Sequence, residues 1–277
     1  MGASQSDRAK AFRALHERPG AFVIPNPFDA GTARILAGLG FEALATTSAG
    51  CAFGLGRPDG EITRDEALAH ARSIVAATPL PVSADLENGY AHTPEGVAQT
   101  IELAAEAGLA GCSIEDASGR AEQPIYDLSH AVERVTAAVE AARQLPFPFT
   151  LTARAENFLH GRPDLDDTIR RLQAFEAAGA DVLYAPGLRE AAAIRMVCAA
   201  LGKPVNVIMG LAGAAFSVEQ LAALGVRRIS LGSALARAAL GEFLRAAEEI
   251  RQRGTFDFAE RAASFKQIEH FMAPPGA

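Results

Sequence analysis

The sequence predicts an α/β fold, a (β/α)8 TIM-type barrel, from three observations. Short runs rich in Val, Ile, Leu and Phe alternate eight times with longer Ala-rich amphipathic stretches. A helix end, a glycine and a buried run recur together at four places. The 277 residues suit one barrel of ordinary size. Strands alternating with helices imply parallel pairing through right-handed crossovers.

The eight strand candidates are 21–24 (AFVI), 42–46 (EALAT), 81–84 (PVSA), 111–114 (GCSI), 149–153 (FTLTA), 181–185 (DVLYA), 205–209 (VNVIM) and 227–231 (RRISL). Helical patterns fall near 28–39, 64–77, 94–107, 128–144, 164–178, 188–201, 217–224 and 233–252. The repeated junction reads AGLGFEALAT, EAGLAGCSIED, EAAGADVLYA and AALGVRRISLG, with Gly40, Gly108, Gly179 and Gly225 at its turn. Glycine ends a helix cheaply because it adopts a left-handed conformation. An open doubly wound sheet would use the same alternation. Its usual GxGxxG turn after the first strand is absent, since 25–31 reads PNPFDAG. Residues 1–254 are therefore read as barrel. Residues 255–277 form a tail of the same domain, with Phe256, Phe258, Ala262, Phe265, Ile268, Phe271 and Met272 in an apolar stripe at helical spacing over 255–272. A ninth helix has no place in the ring, so it packs on a barrel face or on a neighbouring subunit.

Hydrophobic residues are 49 % of the chain, charged residues 21 %, and the net charge is -7. That balance argues against a nucleic-acid or anionic-membrane partner. Only Lys10, Lys203 and Lys266 are lysines. Cys51, Cys112 and Cys198 form no CxxC pair or disulfide framework, which fits a reducing compartment and a cytoplasmic protein. The N-terminal MGASQSDRAKAF has no apolar signal core; it matches a myristoylation pattern superficially, with no second membrane signal beside it. No apolar run approaches the ~18 residues of a membrane span.

Chemistry in such a barrel sits at the C-terminal ends of the strands. The third strand ends in VSADLENGY, where Asp85 and Glu87 lie two apart and Gly89 permits a sharp turn. The fourth ends in Glu115 and Asp116, the fifth in Arg154 and Glu156, and the second in a Ser/Gly-rich loop with Asp59 beyond it. Carboxylates without His or Cys partners suit a hard cation such as Mg2+ held partly through water. An arginine opposite the metal suits a substrate carboxylate. Metal, arginine and backbone donors together would polarise an oxo group and stabilise an enolate. Lone acidic strand ends are commonly solvated loop residues; three consecutive ones carry the functional reading, although Arg154 could also serve as a structural partner of Glu156 or Glu115. Cys51, beside the glycine loop, suits core packing.

Absences narrow the chemistry. Schiff-base aldolases need a lysine at the C-terminal end of a strand, whereas Lys203 precedes the seventh strand and the other two lysines are terminal. Zinc sites need clustered histidines, and the six here are scattered. His92 and His160 fall on loops of the reactive face. Gly210, Gly213 and Gly232 lie where barrel phosphate sites occur, but turn glycines explain them equally.

The ordered set TTSAG with downstream RPDGE, VSADLENGY, SIED and TARAE resembles the isocitrate lyase/phosphoenolpyruvate mutase superfamily over residues 20–255, with the tail also fitting. The resemblance implies an α/β barrel, Mg2+ or Mn2+, and 2-oxo acids or dicarboxylates handled through enolate-like intermediates. It makes Asp85 the direct metal ligand and has Glu87 and Glu115 hold metal-bound waters. Ser48, Ala49 and Gly50 would bind the carboxylate and oxo oxygens of the substrate. Arg154 would hold a carboxylate or phosphonate, and Asp59 would line the pocket. It also implies a homotetramer of paired subunits that exchange the last helix.

The sequence departs from the family at the gating loop. Family lyases carry Lys-Arg/Lys-Cys-Gly-His after the fourth strand, and the mutases and phosphonopyruvate hydrolases a Lys after the Glu-Asp pair. Here residues 115–130 read EDASGRAEQPIYDLSH. Asn206 is followed by Met209 where lyases have Asn-x-x-Glu, and Glu87 stands in place of a second Asp. Tyr126, Asp116 and His130 are the proton-donor candidates in that loop. The expectation is a Mg2+-dependent enzyme, catalytic through Asp59, Glu115 and Arg154, that cleaves a C–C bond or decarboxylates a small 2-oxo acid. C–P chemistry on phosphonopyruvate and a non-catalytic 2-oxo acid binder are the alternatives.

Overall fold

Each of the eight strand candidates forms a strand in the computed structural model, which describes residues 3–211, 213 and 215–273. In chain order the strands are β1 (Phe22–Ile24), β2 (Leu44–Ala45), β3 (Val82–Asp85), β4 (Gly111–Glu115), β5 (Ala117–Arg120), β6 (Gln123–Ile125), β7 (Thr150–Arg154), β8 (Val182–Tyr184), β9 (Val205–Ile208) and β10 (Arg228–Ser230). Excluding β5 and β6, they pair in parallel in the order β2-β3-β4-β7-β8-β9-β10-β1. The ring closes between β1 and β2 where the Ala45 N–H donates to the Pro25 carbonyl at 3.0 Å and the Asn26 amide donates to the Thr46 carbonyl at 2.8 Å. The fold is a nearly closed (β/α)8 barrel, as expected.

The helices are α1 (Gln5–Glu17), α2 (Ala30–Gly38), α3 (Ser48–Gly54), α4 (Arg64–Ala77), α5 (Pro94–Glu106), α6 (Leu128–Gln144), α7 (Leu165–Ala177), α8 (Ala191–Ala199), α9 (Val218–Ala223), α10 (Ala234–Arg253) and α11 (Phe265–Met272). Their starts are written locally. Thr63 and Glu66 form a capping box, Thr93 caps α5 ahead of Pro94, and Ser217 and Gln220 box α9. The four junction glycines all take positive φ, from 87° at Gly40 and Gly108 to 103° at Gly179.

The structure corrects four readings. Residues 5–17, assigned no element from sequence, form α1, which buries Ala9, Phe12 and His16 across the N-terminal mouth of the barrel. The Ser/Gly-rich loop after β2 contains a helix, α3, capped by the Thr47 hydroxyl. The segment after β4 folds as the antiparallel β5–β6 hairpin. The tail is a 3-10 turn (Asp257–Arg261) followed by α11, because Ala262 and Ser264 are extended between them. Phe271 and Met272 reach α2: a Cβ at Gly38 would meet the Phe271 ring at 2.5 Å, and Arg34 donates to the Met272 carbonyl at 2.6 Å.

Two features position function. The barrel interior is polar, with Ser83, Ser113, Thr152, Asn206, Arg228 and Ser230 buried or half-buried where barrels usually stack Val, Ile and Leu. And α10 leaves the ring almost unpacked, since Ala236 and Glu249 are its buried residues. Among the described residues, no helix is long and apolar enough to cross a membrane.

Candidate active site

Alternation along parallel strands turns every second side chain into the barrel, so the last inward position of each strand reaches the C-terminal mouth. Asp85 ends β3, Glu115 ends β4 and Arg154 ends β7, and the register pairs Glu115 directly with Arg154. The Arg154 Nη1 donates to Asp85 Oδ1 at 2.9 Å, and its Nη2 lies 3.0 Å from Glu115 Oε2 and 2.8 Å from Glu156 Oε1. Its guanidinium also stands 5.2 Å over the Tyr184 ring. Three carboxylates from neighbouring strands thus converge on one arginine.

The second side of the site is α3. Ser48 donates to Asp85 Oδ2 through its hydroxyl at 3.0 Å and its N–H at 3.3 Å, and the same hydroxyl reaches Asp59 Oδ1 at 3.3 Å. Thr46 Oγ1 accepts from the Asp85 N–H at 3.0 Å. Ser48, Ala49, Asp59, Asp85 and Arg154 all border a cavity of about 260 Å3 that runs down to Asn206 and Arg228. Gly50 faces elsewhere: its N–H donates to the Thr47 hydroxyl at 3.2 Å, and it borders a separate apolar groove. Glu87 lies beside Asp85, its N–H 3.4 Å from Asp85 Oδ1, and carries a positive φ of 46°.

Burial sets the electrostatics. It pushes Glu87 up to about 7, with Asp85 and Asp59 adding repulsion. Burial raises Glu115 strongly against the pull of Arg154, and it raises Asp59, with Asp85 adding to the effect. Burial opposes the charge on Arg154, but Glu115, Glu156 and Asp85 outweigh it and hold the guanidinium protonated.

The carboxylates fit a hard divalent cation. All donors are oxygens, and the buried Glu87 Oε1 has no hydrogen-bond partner among the described residues. Among the described residues no three His, Cys, Asp or Glu side chains form a ready cage.

The loop proton-donor candidates stand apart from the cavity. Asp116 is buried, accepting from the Glu156 N–H at 2.8 Å and Arg171 Nη1 at 3.0 Å, so it fixes the end of β7. Tyr126 pairs with His92 and lies under Arg134, whose guanidinium is 4.3 Å from the ring. His130 bonds the His92 carbonyl at 2.9 Å. Sequence reasoning passed over Tyr184, Asn206 and Arg228 as site residues. Their period-2 placement in β8, β9 and β10 was the available signal.

Fold and site together define a barrel protein with acid-and-arginine chemistry at its C-terminal mouth. The family model for phosphoenolpyruvate phosphomutase matches residues 12–251. An oxaloacetate decarboxylase from Ectopseudomonas mendocina is 31% identical over 245 residues, covering 86% of this chain and 82% of that protein. The 2-methylisocitrate lyase of Escherichia coli is 30% identical over 260 residues, covering 89% and 85%. A crystal structure from Burkholderia cenocepacia J2315, described as a candidate lyase/mutase, is 63% identical with a TM-score of 0.96, covering 98% of this chain and 97% of that one. The chain belongs to the PEP mutase/isocitrate lyase superfamily.

Proposed function

We propose that the protein is a divalent-metal-dependent carbon–carbon lyase or decarboxylase acting on a small 2-oxo acid or dicarboxylate. The observation that carries this is the convergence of Asp85, Glu115 and Glu156 on Arg154 beside the first turn of α3. Asp85 would hold Mg2+ or Mn2+ directly, and Glu87 and Glu115 would accept from its water shell. Bound there, the ion supplies Lewis-acid polarisation of the substrate's 2-oxo group.

This chain's own residues do the rest. Arg154 grips the substrate carboxylate through a planar fork. Ser48 and Ala49, at the positive end of α3, offer N–H and hydroxyl donors to the oxygen on which negative charge develops. Loss of CO2, or of the leaving fragment, puts that charge on an enolate whose carbon then takes a proton. Asp59 borders the same cavity as Asp85 and Arg154, and its raised pKa suits it to carry that proton. The oxaloacetate decarboxylase and 2-methylisocitrate lyase relatives support a 2-oxo acid, and the absence of the lyase gating-loop cysteine favours decarboxylation. The lack of a disulfide framework among Cys51, Cys112 and Cys198 supports a cytoplasmic protein, and the exposed Phe243 and Leu244 of α10 support an oligomer of paired subunits.

The test is thermal unfolding with Mg2+ or Mn2+, with oxalate, and with both. Oxalate mimics the enolate of pyruvate. Stabilisation is expected only with both, and Asp85→Ala should abolish it. No stabilisation with either metal overturns the assignment. Pyruvate release from oxaloacetate, against phosphoenolpyruvate or phosphate formation from phosphonopyruvate, then separates C–C from C–P chemistry; the matching family model is named for the phosphoenolpyruvate-forming C–P reaction. Binding without turnover on either would identify a non-catalytic binder. Asp59→Asn should keep the oxalate response and lower turnover at least about a hundredfold.

A further inference from the structure

The N-terminal mouth of the barrel, at the far end of the axis from the acid cluster, holds a second cavity. Its volume is about 460 Å3, roofed by the last turn of α1 and floored by the starts of β7, β8 and β9. We propose that it binds a small oxyanion, a carboxylate or phosphate group, through Lys203, Arg13 and Thr150. This assignment is independent of the reading of the C-terminal mouth.

The charge inventory favours an anion. Arg13, Arg143 and Lys203 border the cavity against Glu17 and Asp181. Asp181 is already engaged: it takes Arg143 at 2.9 Å and 3.4 Å, accepts the Leu151 N–H at 2.9 Å, and stands 4.0 Å from Arg13. Among the described residues Lys203 has no ion pair. Behind the cavity His16 touches Arg228, their nitrogens 3.4 Å apart. Arg228 is buried and held by Asn206 and Thr152, with no carboxylate partner among the described residues. Burial holds His16 neutral, so nothing between Arg228 and the cavity cancels that charge.

A second observation points to a ligand. Thr150 borders the same cavity and is only 2% exposed, yet its Oγ1 has no hydrogen-bond partner among the described residues. A buried hydroxyl without a partner carries a desolvation cost that an occupant could relieve. An orphan donor, a free ammonium and a weakly engaged guanidinium around one cavity match the needs of a small oxyanion.

The experiment is calorimetric titration of the full-length protein with inorganic phosphate and, separately, with citrate. Both are run on the wild type, Lys203→Gln, the near-isosteric Thr150→Val, and Ser48→Ala at the opposite mouth. In the metal-free wild type, where the C-terminal mouth takes no oxalate, one site is expected, with affinity falling at least about tenfold in Lys203→Gln and Thr150→Val and holding in Ser48→Ala. The stronger of the two probes names the occupant as phosphate-like or carboxylate-like. The proposal is overturned if neither anion binds, if binding survives both basal substitutions, or if it is lost in Ser48→Ala. Far-UV circular dichroism on each variant ensures that a lost site is not a lost fold.

Discussion

Arg154 is 13% exposed and sits among three carboxylates, two of which, Glu115 and Glu156, burial pushes towards the protonated form. Removing one partner of a buried ionic cluster costs more than the cluster contributes, because the remaining charges are stranded. Arg154→Met in the metal-free protein should therefore lose about 3–5 kcal/mol at neutral pH. The loss should shrink towards acid pH, where Glu115 and Glu156 protonate; an equal loss at both pH values would contradict the pairing. His16 makes a prediction of opposite origin. Burial, and then Arg228, lower its pKa to about 3, against an ordinary 6.5. The unfolded chain binds the proton first, so stability is present above about 6.5 and falls as pH drops towards about 3. The slope approaches about 1.4 kcal/mol per pH unit within that window. Denaturant melts of His16→Gln across pH 4 to 7 should show this slope flattened relative to the wild type; parallel curves would mean that His16 does not titrate this way.

At the scale of elements, α3 shows how tightly the site is tied to packing. A Cβ on Gly50 would lie 2.5 Å from Thr47 Cγ2 and 3.0 Å from Phe28 Cβ. Gly50→Ala should push Thr47 off its cap, cost about 1–3 kcal/mol in a denaturant melt, and weaken metal–oxalate binding through displaced Ser48. This helix was illegible in the sequence for the same reason. SAGCAFG has two glycines and no amphipathic period, and it is helical because Ala49, Gly50, Cys51 and Ala52 are buried by the barrel wall. Helix α1 was missed because its apolar positions are few, and their burial depends on the mouth they cover. The eight strands were legible because parallel strands, covered on both faces, read as short apolar runs between glycine turns. Asp85, Glu115 and Arg154 could be found because each ends a strand. Tyr184 lies in register with Arg154 on the adjacent strand, whereas Arg228 borders the site cavity only once β10 pairs with β9 and β1.

At the scale of the molecule, α10 is amphipathic, and none of the described residues covers its apolar face. Phe243 is 69% exposed and Leu244 58%, with Leu240 and Ile250 on the same helix and Phe256 and Phe265 beyond it. An apolar groove of about 540 Å3 opens at the helix's start, lined by Phe28, Cys51, Phe53, Leu55 and Leu240. Monomeric proteins seldom leave so much large apolar surface contiguous. A second copy would supply both halves at once, because a two-fold pairing would set each helix against the other's groove. Sedimentation velocity on the wild type should give a dimer or a multiple of it, with a melting temperature that rises with concentration. Phe243→Asp with Leu244→Asp should shift the sedimentation to monomer and remove the concentration dependence. The barrel of each protomer should survive this, since α10 contributes little to its own core. A wild type that sediments as a monomer at tens of micromolar would leave that apolar face without a partner and overturn the pairing. If the doubly substituted protein also loses metal–oxalate stabilisation, the groove beside Gly50 is where the partner's helix supports α3, and with it Ser48.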